Sequence, residues 1–111
     1  MIRVIFKELF WNVQDYEWSG DGHIVSIANF DLEENGLLNR GLSVRILQPA
    51  GSPCESAPLE IAHPTNYDGP LDFEAFREAA MAYYREACSE GMRKIWRRPV
   101  EFELHPVFGK A

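Results

Sequence analysis

The residues best placed to do chemistry are Glu101, Glu103 and His105, which alternate with Val100, Phe102 and Leu104. On an extended strand, residues two apart project from one face with their Cα atoms ~6.8 Å apart, so two carboxylates and an imidazole share a side. Joined by a third group from a neighbouring strand, Asp31 or His23 for example, they would hold a metal ion or act as an acid and base pair. The competing reading is a solvated strand face paired with Arg3, Lys7 and Arg45 across a sheet, a much commoner arrangement. No metal or other cofactor is expected.

Other chemistry is thinner. Cys54 beside His63 or His105 is the only nucleophile pairing imaginable, and a reactive thiol needs a cation or a helix N-terminus to lower its pKa. Cys54 is followed instead by Glu55, while Cys88 falls near the C-terminal end of a predicted helix, where the dipole opposes a thiolate. Gly51 and Ser52 lack the lysine and following helix of a phosphate loop, and no serine lies in a nucleophile elbow. Arg93, Lys94, Arg97 and Arg98 surround Trp96, a run able to offer a phosphate or an acidic peptide four cations and a stacking ring. The remainder of the chain opposes a polyanion: 17 acidic against 11 basic residues, a net charge of −6. Nucleic acid and anionic membrane are therefore not expected as partners, and the run serves the helix end and nearby acids such as Glu90 and Glu101.

The elements that must position these groups follow from pattern. Asp72 is a natural N-cap, with Leu71 spaced to pack on Phe76, and Gly91 stands where a left-handed residue would end a helix. Between them Phe73, Phe76, Ala80, Tyr83, Tyr84 and Ala87 fall on one stripe, against Glu74, Glu78, Arg85, Glu86 and Ser89 away from it. The stripe predicts a helix with one buried side packed on a sheet. Strands are predicted over 2–9, 23–33, 41–48 and 100–105, with a short one over 59–62 that ends at His63 before Pro64. Asn35 and Gly36 mark a reversal, and Leu37 and Leu38 after them suggest a loop longer than two residues. The first three strands should form an antiparallel meander, and the helix should return the last strand to it. The expected fold is α+β: one domain, a curved antiparallel sheet of four to five strands with one long amphipathic helix on one face.

If the helix covers Val4, Phe6, Phe30, Val44, Ile46, Phe102 and Leu104, the other face carries Ile5, Leu9, Val25, Ile27 and Leu47 among charges of both signs. With Trp11 at its aromatic edge, that composition suits an interface, here with a second copy of the chain. The leading expectation is a non-catalytic interaction protein, a homo-oligomer and most simply a dimer. Small acidic domains of this sort include inhibitors of basic toxins, an analogy of size and charge alone. The rival expectation is a small-molecule binder or enzyme with a pocket between helix and sheet, lined by Tyr67, Tyr83, Tyr84 and Trp96 and closed by loops at 49–58 and 64–70. Glu101 or His105 would then move any proton. The chain holds no apolar run of membrane length and starts at once on a strand, so a cytoplasmic protein with reduced thiols is expected.

Overall fold

Alternating apolar and polar residues make strands wherever turn formers leave them uninterrupted. A computed structural model describes residues 1–11, 23–49, 60–67, 69, 71–91 and 93–104. In chain order these form β1 (Ile2–Phe10), β2 (His23–Glu34), β3 (Leu37–Pro49), β4 (Glu60–Ile61), α1 (Phe73–Ser89), β5 (Ile95–Trp96) and β6 (Val100–Leu104). All strand pairs are antiparallel, in one open sheet ordered β4, β3, β2, β1, and the outer side of β1 is shared end to end by β6 and β5. The architecture is thus the α+β arrangement expected from the pattern: a meander, a helix across one face, and a last strand brought back beside the first.

The helix starts and stops where its sequence says. Asp72 caps it with a carboxylate that accepts from the Ala75 backbone N–H at 3.3 Å. Gly91, at φ +97°, closes the other end by donating its N–H to the Cys88 carbonyl at 3.1 Å. Phe76, Ala80, Tyr83, Tyr84 and Ala87 are fully buried on the sheet side. Phe6 of β1 is the hub of that contact, with ring centroids 4.8 Å from Tyr83, 5.5 Å from Phe30 and 5.8 Å from Phe76 and Phe102. Each large side chain taken from water here contributes ~1.5–3 kcal/mol, so this layer supplies most of the driving force.

Four features depart from the sequence expectation. Asn35 (φ +52°) and Gly36 (φ +82°) form a two-residue turn directly joining Glu34 to Leu37, not a longer loop. Both central residues take the positive φ that such a hairpin needs, so Leu37 and Leu38 simply continue β3 on an exposed arm. Within β1 the register slips between Phe6 and Glu8, which makes Lys7 the extra residue of a β-bulge. The buried set therefore moves from Ile2, Val4 and Phe6 to Leu9 and Trp11, and both join the core under the helix. Leu9 and Trp11 were expected on the other face and its edge; the bulge turns them over. A second bulge lies in β3, where Arg40 and Gly41 together oppose Asp31, with Gly41 at φ +76° supplying the left-handed position. Finally, Ile95 and Trp96 in the basic run form β5 against Phe10 and Leu9, an extra strand.

Candidate functional site

The face of the sheet away from α1 is the candidate site, and the register divides it in two. One end is charged. Arg3 of β1 stands between Glu33 of β2, at 3.0 Å, and Glu101 of β6, at 2.8 Å, so one guanidinium ties three strands together. The hydrogen bond and charge of Glu101, with Glu33 adding to them, hold that guanidinium above its ordinary pKa. Lys7 reaches over its bulge to Asp31 at 3.0 Å. Both carboxylate oxygens of Glu8 are engaged, one accepting from Asn29 and the other from Arg97, each at 3.1 Å.

The other end is apolar. Phe10 has Ile27 as its register partner on one side and Ile95 on the other, a row across β2, β1 and β5. Ile95 is 40% exposed, while Phe10 and Ile27 are half-buried. The next pair along, Val25 and Leu47, is buried yet lies outside the helix-side core. The accessible apolar part of the face is therefore the row.

Where the two bulges flank Asn29, Phe30 and Asp31 there is an open depression of about 380 Å³, lined also by Lys7, Glu8, Arg40 and Gly41. Arg40 has no hydrogen-bond or ion-pair partner among the described residues. The depression sets the Arg40 guanidinium and the Lys7 ammonium beside the carboxylates of Asp31 and Glu8, which are already ion-paired to Lys7 and Arg97. Lone glycines inside strand patterns, such as Gly41, often mark bulges, and the shift of the apolar set from Phe6 to Leu9 marks the other; these two signals were available in the sequence.

The residues singled out for chemistry are placed as follows. Glu101 and Glu103 do share one face of β6, with Glu101 bonded to Arg3; His105 lies outside the described residues, as do Cys54 and the loop at 50–58. Among the described residues no group of three or more His, Cys, Asp or Glu is placed to hold a metal ion. Tyr83 and Tyr84 are fully buried core residues, and Trp96 packs on Tyr83 at 5.0 Å. Tyr67 packs from the side of the same core, partly buried. Of the basic run, Arg97 serves Glu8 and Arg98 serves Glu90 at 2.9 Å, with the Trp96 indole also donating to Glu90. Ile5 is half-buried on the charged end, opposite Asp31 and Glu101.

The core carries unpaired polar atoms that sequence alone does not show. The hydroxyls of Ser26 and Tyr83 and the indole N–H of Trp11 are buried without a partner among the described residues. Nearby, the Tyr84 hydroxyl donates to the Gln48 side chain. Burial, with the charges of Glu8 and Glu86 adding to it, pushes the Tyr83 phenol far above its ordinary pKa.

Comparison of the chain with protein-family models, curated proteins and solved structures finds no match. Among the described residues no helix is long and apolar enough to cross a membrane.

Proposed function

We propose that the chain is a non-catalytic interaction protein that works as a homo-oligomer, most simply a dimer, through the apolar end of its uncovered sheet face. The observation that carries this reading is the row Ile95, Phe10, Ile27: three register neighbours on three adjacent strands, facing away from the helix. Apolar side chains in adjacent register make a continuous surface, which isolated exposed hydrophobes do not. The Glu8 and Arg97 pair beside the row brings charges of both signs to its rim, the composition of a polar interface border. The same reading keeps the expected cytoplasmic location, in which Cys88 stays a thiol.

Light scattering on the purified protein tests this. The wild type at micromolar concentration should have the mass of two chains, and Ile95→Arg, at an already exposed position, should halve it with an unchanged circular dichroism spectrum. A monomeric wild type ends the reading, and a dimeric variant places the contact elsewhere.

A second reading, small-molecule binding between helix and sheet, is supported by the buried unpaired groups of Ser26 and Trp11. A small ligand accepting from the Trp11 indole and bonding the Ser26 hydroxyl would satisfy both. Thermal-shift screening with small polar metabolites should then raise the melting temperature, and Ser26→Ala should abolish the response. No shift with any compound removes this reading.

A further inference from the structure

The sheet ends at β6, whose sole strand partner among the described residues is β1. Alternate residues of an edge strand turn their backbone N–H and C=O groups outward, ready to receive another strand. Beside this edge a shallow groove of about 350 Å³ runs between β6 and the flank of α1. Its floor is apolar, made by Ala75, Ala79 and Ala82 of the helix with Phe102 and Leu104 of the strand, and Glu78 and Glu103 stand at its rim. Small side chains on the helix flank leave room for the side chains of an added strand.

We propose that this edge and groove dock an extended segment of a protein partner in which apolar residues alternate with lysine or arginine. Alternation fixes the pattern. Residues of the added strand that point to the helix side would meet the alanine floor and Phe102, so they must be apolar and of modest size. Those pointing to the opposite face would meet Glu101 and Glu103, so they must be cationic. The inner neighbour of β6 shows this design in part: β1 sets Val4 opposite Phe102 on the helix side and Arg3 opposite Glu103 on the other, and although Ile5 is the register partner of Glu101, the Arg3 guanidinium reaches that carboxylate at 2.8 Å. An outer neighbour would repeat it.

A second copy of this chain is the wrong occupant. Two β6 strands paired about a two-fold axis would set glutamates against glutamates, and like charges directly opposed across strands are destabilising. The net charge of −6 also draws a basic segment. The edge lies along the Ile2 to Phe6 part of β1, away from the Phe10 row, so this surface stands independently of the dimer.

The test uses the full chain, isotope-labelled, and a capped peptide of alternating valine and lysine, with a valine and glutamate peptide as control. Saturable amide shifts should appear at Val100 to Leu104 and at Ala75, Ala79 and Ala82 with the lysine peptide and be absent with the glutamate peptide. Glu103→Gln, an exposed substitution expected to keep the native spectrum, should weaken binding about fivefold, the loss of one partly screened charge pair. Shifts scattered over the acidic surface, equal binding of both peptides, or none at millimolar peptide would each overturn the proposal and leave the glutamates as guards against edge aggregation.

Discussion

The two faces of this sheet are built from the same strands yet hold together by different means. Under the helix, Phe6, Phe30, Phe76 and Tyr83 exclude water and each other's neighbours fix their geometry. On the far side, Arg3, Lys7 and Glu8 make ion pairs that remain partly wet, next to a row of apolar residues with nothing but solvent required beyond Ile95. Burial is worth far more per side chain than an exposed ion pair, so the first face decides whether the chain folds and the second is left available for contact. The difference shows how one short chain separates stability from recognition.

That contrast breaks most easily at Phe6. Phe6→Ala should cost ~3–5 kcal/mol in urea denaturation, the value for a buried ring lost from a filled core. A loss below ~1 kcal/mol would mean that the helix-side layer is not the source of stability. Gly41→Ala, which forces a side chain into the left-handed bulge position, should cost ~1–2 kcal/mol without touching any packed atom.

Tyr83 sharpens the comparison from the opposite direction. Its hydroxyl is buried without a partner among the described residues, so Tyr83→Phe should stabilise by ~1 kcal/mol, the desolvation cost recovered. Its phenol pKa is raised in the folded chain. The folded state therefore keeps a proton that the unfolded state releases above about pH 10, and stability present below that value falls as pH climbs. Alkaline denaturation of the wild type and Tyr83→Phe should diverge above that pH, with the variant losing less; parallel curves would contradict the assigned environment. On the wet face, Glu33→Gln removes one of two partners of Arg3, and its midpoint should match that of the wild type in high salt.

How much of this was legible in the sequence follows the same division. The helix was readable because its cap at Asp72, its stripe and its stop at Gly91 are local signals, each set by a few neighbouring residues. The faces of β2, β3 and β6 were readable from their alternation, and that of β1 only up to Phe6. Beyond it a single extra residue, Lys7, reverses inside and outside, and a period of two carries no memory of such a slip unless the shifted apolar pair Leu9 and Trp11 is weighed against Ile2, Val4 and Phe6. The hairpin differs from expectation because Leu37 and Leu38, read as part of a longer loop, instead continue β3 as exposed strand residues directly after the Asn35 and Gly36 turn. The candidate site was legible in composition, a face of mixed charge and apolar residues, but not in layout. The charged and apolar ends separate only through registers that join β1 to β2, β5 and β6, contacts too distant in the chain to leave a local trace.

The most direct test of the division between the two faces is the unfolding midpoint measured over a wide range of protein concentration. Association of folded chains through the Phe10, Ile27 and Ile95 row predicts that the wild-type midpoint rises with concentration, while that of Ile95→Arg stays level at the value set by the helix-side core. A wild-type midpoint independent of concentration would contradict it.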